Sequence, residues 1–268
     1  MRKTNTVALN NGVEMPVIGY GTYQTPPSKT ERCVSDALRI GYRPIDTAQC
    51  YENEHEVGLA YRKSGIQREE LFITTKLWGC HKYSDTLRSI DASLRRLNLG
   101  YIDLLLIHEP NGDVHEIYRA METALRDGKL RAIGVSNFLP ERYLDLINHS
   151  KIVPAVNQVE THVFRQQKEL RQLECQIGTR HESWSPLACG QNGIFKNPVL
   201  SRIAGSHNRT ISQIALRFLV QQGIIVIPKS TKAEHMEENL AVLDFELEPE
   251  EMSALEGLEV GRSLFDWW

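Results

Sequence analysis

The stretch Ile45-Asp46-Thr47-Ala48-Gln49-Cys50-Tyr51 decides the fold: an apolar run ends in an acid, and a tyrosine follows five residues later. Two later runs close in the same manner, 71–76 on Lys76 and 104–108 on His108. The second is nearly continuous in apolar residues, the pattern of a strand buried on both faces. Outward from these three, strand and helix patterns alternate. Upstream, residues 7–16 predict a β-hairpin turning at Asn11-Gly12. A first barrel strand at 17–21 follows, then a helix opened by a Ser28-x-x-Glu31 capping box and stopped by Gly41. The remaining strands are predicted at 42–47, 71–78, 102–108, 130–136, 155–160, 182–187 and 224–228. Helices are predicted near 53–64, 84–98, 117–125, 140–148, 166–175, from Thr210, near 233–240 and near 249–257.

Eight strands, each followed by a helix or a long loop, point to a closed α/β (β/α)8 TIM barrel; an open doubly wound sheet is the alternative. With 268 residues and no low-complexity linker, the chain reads as one barrel domain spanning 1–268. Lys plus Arg is 31 against 34 for Asp plus Glu, a net charge of −3, which carries no footprint for nucleic acid or an anionic membrane. The N-terminus lacks the apolar core of a signal peptide, and no apolar run approaches the roughly 20 residues of a membrane helix. The five cysteines are scattered and never C-x-x-C, so neither a disulfide framework nor a metal site is expected, and the location expected is cytoplasmic.

In such a barrel the chemistry collects at the C-terminal ends of the strands. Those ends supply Gly21-Thr22-Tyr23, Asp46, Lys76, His108, Ser136-Asn137, Gln158, Trp184-Ser185 and Lys229-Ser230, with Tyr51 just beyond the second strand. Taken singly, Asp46 fits a helix cap, Tyr51 and Trp184 fit core aromatics, and His108 fits a satisfied core histidine. Lys76 resists such a reading, because an unpaired buried ammonium costs several kcal/mol and calls for a carboxylate such as Asp46. Jointly the four make a proton-transfer centre. A tyrosine with a pKa of about 10 is a poor acid at neutral pH, and a neighbouring lysine lowers that value. Asp46 would hold the lysine, and His108 would orient a carbonyl that receives the proton as hydride reaches its carbon. The hydride must come from a cofactor. No Gly-x-Gly-x-x-Gly follows a strand, so a nicotinamide dinucleotide would lie on the last two strand-end loops, Ser185-Pro186-Leu187 and Lys229-Ser230-Thr231-Lys232.

These residues resemble the aldo-keto reductase family along nearly the whole chain. The resemblance is carried by Asp46-Thr-Ala-x-x-Tyr51-x-Asn-Glu54, Thr75-Lys76-Leu-Trp78, Leu106-Ile-His108-x-Pro110, Gly134-Val-Ser-Asn-Phe138, Asn157-Gln158-Val-Glu160 and Ile227-Pro-Lys-Ser230. It implies Tyr51 as general acid, Asp46 and Lys76 as its tuning pair, and His108 as the residue that orients substrate. It implies Ser136, Asn137 and Gln158 on the nicotinamide carboxamide, with Trp184 stacked on the ring. Gly21, Thr22 and Asp46 are expected to join the cofactor site, and Ser185 and Leu187 to lie along the pyrophosphate. Lys229, Ser230 and His235 are expected at the adenosine 2′-phosphate, and Glu238 and Asn239 at the adenine. Tyr23, Trp78, His108 and Glu109 are the expected substrate walls, and a C-terminal loop the expected substrate cover. The segment Glu182-Ser-Trp-x-Pro-Leu187 is similar to the prokaryotic 2,5-diketo-gluconate reductase branch.

Three positions depart from the family pattern. Glu109 stands where tryptophan is usual, which favours hydroxylated or cationic substrates. His235 stands where arginine is common, which weakens preference for NADPH and makes NADH use plausible. Thr161-His162-Val163 lacks the usual His-Pro pair, and the tail 263–268 is short, with Trp267 and Trp268 either lining the pocket or packing elsewhere. The implied activity is NAD(P)H-dependent reduction of aldehydes or ketones, with a small-molecule carbonyl as the partner and a monomer as the expected state. A cofactor-binding barrel with a regulatory role is the alternative from another class. A phosphate-binding isomerase or aldolase using Lys76 in a Schiff base would leave Tyr51 without a purpose.

Overall fold

A computed structural model describes residues 6–265 and folds them into a (β/α)8 barrel. The hairpin β1 (Thr6–Ala8) and β2 (Glu14–Pro16) pairs antiparallel, as Asn11-Gly12 demands, with Gly12 at φ 82°. Eight parallel strands follow: β3 (Tyr20–Gly21), β4 (Pro44–Asp46), β5 (Phe72–Leu77), β6 (Ile102–Ile107), β7 (Leu130–Ser136), β8 (Val156–Glu160), β9 (Arg180–Trp184) and β10 (Ile225–Val226). Each pairs with its sequence neighbour, and the ring closes where Gly19 N donates to Val226 O at 2.8 Å and Val226 N to Val17 O at 3.0 Å. Gly21 sits on this seam: a Cβ there would lie 2.9 Å from Ile227 O, so barrel closure alone requires glycine.

Outside the ring lie α1 (Pro27–Ile40), α2 (Glu54–Ser64), α3 (Tyr83–Leu97), α4 (Val114–Arg126), α5 (Pro140–His149), α6 (Lys168–Ile177), α7 (Pro198–His207), α8 (Ile211–Gln221), α9 (Ala233–Leu240) and α10 (Pro249–Glu256). The core divides in two. Val34, Leu38, Ile90, Ile117, Ile133 and Phe218 fill the layer between helices and strands. Phe72, Leu104, Leu106, Ala132 and Val156 fill the lower barrel interior, where Leu9 and Met15 of the hairpin close the floor.

The alternation of a strand does the rest. Side chains point inward every second residue, so Phe72 and Lys76 face the interior from β5, while Val156 and Gln158 face it from β8. A one-residue slip would turn Lys76 into the helix layer.

Several local features differ from the sequence reading. The helix α1 is not capped by Ser28 and Glu31: it starts at Pro27 behind Pro26, whose carbonyl accepts from Lys29 N and Thr30 N. Proline at the first turn lacks only an N–H that has no partner there, and Glu31 instead pairs with Lys63 at 2.5 Å. The strand β9 runs from Arg180 to Trp184 rather than 182–187, because Ser185 turns out of the sheet at φ 50°. The helix α7 has no counterpart in the sequence reading, although Asn197 caps it and Leu200, Ile203 and Ala204 bury one stripe. Its Ser201, Gly205 and Ser206 dilute the helical pattern. The capping box at Thr210 and Gln213 forms in both directions.

Candidate active site

Asp46, Lys76 and Tyr51 meet at the upper end of the barrel. Lys76 Nζ lies 2.5 Å from Asp46 Oδ1, donates to Thr47 O at 3.1 Å and reaches Tyr51 Oη at 3.3 Å. Lys76 is fully buried and Asp46 nearly so, so the carboxylate that an ammonium in this strand requires is present. The loop after β4 places Tyr51 in a single 3-10 turn, Gln49–Tyr51, closed by Glu52 in the left-handed region at φ 55°. Asn53 braces that turn: its Oδ1 accepts from Thr47 Oγ1 at 2.6 Å, and its Nδ2 donates to Thr22 O and Thr25 O.

Burial would strip the proton from Lys76, but the Asp46 carboxylate, by its charge and its hydrogen bond, more than offsets this and holds the ammonium above its usual range. For Tyr51 the balance runs the other way from the sequence expectation. Burial, with help from the Asp46 charge, pushes the phenol above its ordinary range, although Lys76 pulls it down. Tyr51 therefore holds its proton through neutral pH, which a proton donor needs. Burial and the neighbouring Lys76 charge lower His108 to about 3, so its imidazole is neutral at physiological pH.

His108 lies beside the phenol, with ring centroids 5.7 Å from Tyr51 and 5.2 Å from Trp78. Tyr23 packs on Tyr51 at 5.1 Å. Tyr23 and Trp78 are about half exposed. Cys50 Sγ lies 3.4 Å from His108 Nδ1, a contact that no sequence pattern announced.

Strands β7, β8 and β9 bring Ser136, Asn137, Gln158 and Trp184 to the same end. Trp184 Nε1 donates to Asn137 Oδ1 at 2.7 Å, and Asn137 Nδ2 donates to Glu109 Oε1 at 2.9 Å and to His108 O at 3.2 Å. Glu109 is thus joined to Trp184 through the Asn137 amide. Burial raises it to about 7 against the Asn137 hydrogen bond. Ser136 Oγ donates to Gln158 O at 2.8 Å, and Gln158 Nε2 donates to both Asp46 Oδ2 and Glu182 Oε2 at 2.9 Å. Thr22 turns its hydroxyl to Asp46 O at 3.0 Å, so its side chain fastens the end of β4.

The far loops have the character of an anion site. Ser185, Ala188 and Cys189 are all left-handed, and Leu187 is partly exposed between them. Lys229, Lys232 and His235 are exposed, and neither lysine forms an ion pair among the described residues. Ser230 Oγ accepts from Lys232 N at 3.1 Å, and α9 begins there without a side-chain cap, leaving first-turn N–H groups available. Asn239 is buried and Glu238 partly so on the same helix. Basic side chains, free backbone donors and a nearby indole make a donor set that fits a phosphate-bearing nicotinamide dinucleotide.

The segment after α10 packs back onto Trp184 and Glu160. Phe265 packs on Trp184 at 5.1 Å, and Glu160 anchors the segment by accepting from Ser263 Oγ at 2.6 Å and Leu264 N at 3.0 Å. His162, where the family's His-Pro pair is missing, bonds Glu160 Oε1 at 3.0 Å. Trp267 and Trp268 lie outside the described residues. As to metals, His115, Asp145 and His149 on α4 and α5 hold ligand-type atoms within 4.8 Å of one another.

Fold and cluster together define a barrel oxidoreductase built for carbonyl reduction. The chain belongs to the aldo/keto reductase family, whose profile matches residues 17–260. It is 44% identical over 257 residues to a glyoxal reductase of Bacillus subtilis (95% of this chain, 92% of that one). It is 40% identical over 274 residues to a morphine 6-dehydrogenase of Pseudomonas putida (97% and 93%). The crystal structure of an aldo-keto reductase enzyme from a Medee basin deep-sea metagenome library superposes with a TM-score of 0.95 at 43% identity, covering 97% of each chain. The protein is accordingly an NAD(P)H-dependent oxidoreductase that reduces aldehydes or ketones to alcohols.

Proposed function

We propose that this enzyme reduces small, polar or cationic carbonyl compounds with NADPH as its main cofactor, and that Tyr51 gives the proton. The observation that carries this reading is Lys76 Nζ standing between Asp46 Oδ1 at 2.5 Å and Tyr51 Oη at 3.3 Å. The bound nicotinamide supplies hydride to the carbonyl carbon. Tyr51 protonates the carbonyl oxygen, and the Lys76 cation stabilises the phenolate left behind, which lowers the barrier where charge develops. Asp46 keeps Lys76 charged and in place. Neutral His108 donates to the same oxygen and orients it. Ser136, Asn137 and Gln158 hold the carboxamide, and Trp184 lies against the ring. Ser185 and Leu187 follow the pyrophosphate, while Lys229, Ser230, Lys232 and the α9 N-terminus take the 2′-phosphate.

Glu109 sets the polarity of the pocket, and with the Glu182-to-Leu187 segment it favours keto-sugars or amine-bearing carbonyls over apolar aromatic aldehydes. The activities in the relatives' names, on glyoxal and on morphine, are compatible with small dicarbonyl or cationic substrates. We also assign the protein to the cytoplasm as a monomer; among the described residues no helix is long and apolar enough to cross a membrane. The test is cofactor oxidation followed by absorbance with glyoxal, a keto-sugar, an amino-ketone and benzaldehyde. Turnover of the polar carbonyls, with higher kcat/KM than benzaldehyde, supports the reading. A preference for benzaldehyde, or no turnover of any carbonyl, overturns it.

A further inference from the structure

Glu182 is a buried acid that the mechanism above does not use. It points into the barrel two residues before Trp184 and is fully buried. Its Oε2 accepts from Gln158 Nε2 at 2.9 Å, and its Oε1 has no hydrogen-bond partner among the described residues. The other hydrogen of that amide goes to Asp46 Oδ2, also at 2.9 Å. With Asp46 Oδ2 and Glu182 Oε2 both accepting, the amide between them is stable with its nitrogen toward both acids, because its oxygen would face lone pairs on both. The Gln158 oxygen is then the end left for a ligand, and no hydrogen bond among the described residues uses it.

We propose that Glu182 is a positioning residue: with Asp46 it locks Gln158 nitrogen-inward, so the site takes a nicotinamide through the carboxamide NH2 and disfavours a cofactor that lacks this donor. This rests on the reading that Gln158 meets the carboxamide. An amide held by one acid alone retains a route to rotate, and one held by two does not. Electrostatics agree with the geometry. Burial and the Asp46 charge raise Glu182 above the ordinary carboxylate range, and a proton on the unpartnered Oε1 leaves Oε2 as the acceptor that Gln158 uses. Two buried acids then serve one lysine without an excess negative charge in the barrel.

The test is binding, read by quenching of tryptophan fluorescence, of NADP+ and its 3-acetylpyridine analogue, in which a methyl replaces the NH2. Wild type is expected to bind the analogue about tenfold more weakly, the worth of roughly one hydrogen bond. In Glu182→Met, which fills the space and cannot accept, the ratio should narrow to about threefold or less, with NADP+ itself weakened. Glu182→Gln keeps an accepting oxygen and should keep the wild-type ratio. Folding of each variant is checked by its thermal melt. If Gln158→Leu leaves the ratio unchanged, the assignment of Gln158 to the carboxamide fails. If Gln158→Leu abolishes the ratio while folded Glu182→Met retains it, Glu182 is not the lock. A loss of the ratio in folded Glu182→Gln contradicts the proposal independently of the methionine variant.

Discussion

The proposed catalytic corner and the loops proposed to face phosphate are built by opposite rules in this barrel. At the corner, Lys76, Asp46, Gln158 and Glu182 are buried and hydrogen-bonded to one another, so each fixes the next. At the loops, Lys229, Lys232 and His235 are exposed and, on the proposed assignment, meet a phosphate from outside the chain. Within the corner the Lys76–Asp46 ion pair tolerates no missing member, because its partner would be left unpaired at a cost of about 3–5 kcal/mol. An exposed charge changes affinity by increments. On the proposed reading, the same chain carries chemistry that is fixed by packing and cofactor choice that is adjustable by single side chains.

The difference can be broken at its strong end first. Lys76→Met should lower kcat by about a hundredfold or more and, by leaving Asp46 buried without its cation, destabilise the fold by about 3–5 kcal/mol. Steady-state rates and a denaturant melt measure both. A variant that keeps its stability would show that the corner is not held by that pair. At the adjustable end, His235→Arg should strengthen NADPH binding about tenfold, roughly 1.4 kcal/mol, by adding a permanent charge and a planar fork for phosphate. NADH binding should move little, and the gain should shrink as salt is raised. An equal gain for both cofactors would place His235 away from the 2′-phosphate.

Glu109 lies between the two regimes, half-buried and raised to about 7. As pH rises through that value it loses its proton and becomes an anion. The KM for a cationic carbonyl should therefore fall severalfold between pH 6 and pH 8, by roughly 0.5–1 kcal/mol, and Glu109→Gln should flatten the dependence. A KM that is equally pH-dependent in the glutamine variant would assign the effect elsewhere. The smallest effect is an absence: with His108 lowered to about 3, no inflection near the ordinary histidine pKa of about 6.5 should appear in kcat for a neutral substrate.

The buried regime was also the more legible one. The lysine within Phe72-Ile-Thr-Thr-Lys76-Leu-Trp78 has to find an acid, and strand alternation then says which strand ends can supply it. The order of eight strands followed from the same alternation. The direction of the Tyr51 shift did not, because burial of a loop residue depends on how Tyr23 and His108 pack over it. Glu182 could have been found: it is in phase with Trp184 and so must face inward. The Cys50–His108 contact and the Glu160 anchor of the C-terminal segment join residues distant in the chain through loops, where no periodicity operates. The helix α7 was hidden by its serines and Gly205, and Pro27 rather than Ser28 opens α1 because an N-terminal proline competes with a capping box for the same turn.

The central claim is that Tyr51 donates the proton from a site that the cofactor does not need it to build. Single-turnover oxidation of bound NADPH by a saturating carbonyl substrate, in wild type and Tyr51→Phe, tests this most directly when paired with a fluorescence titration of NADPH. Tyr51→Phe should bind NADPH within about threefold of wild type yet oxidise it about a thousandfold or more slowly, a loss of roughly 4 kcal/mol in the transition state. Wild-type rates should hold from neutral into alkaline pH, since burial keeps the phenol protonated. A Tyr51→Phe enzyme that oxidises bound NADPH at nearly the wild-type rate would contradict the account.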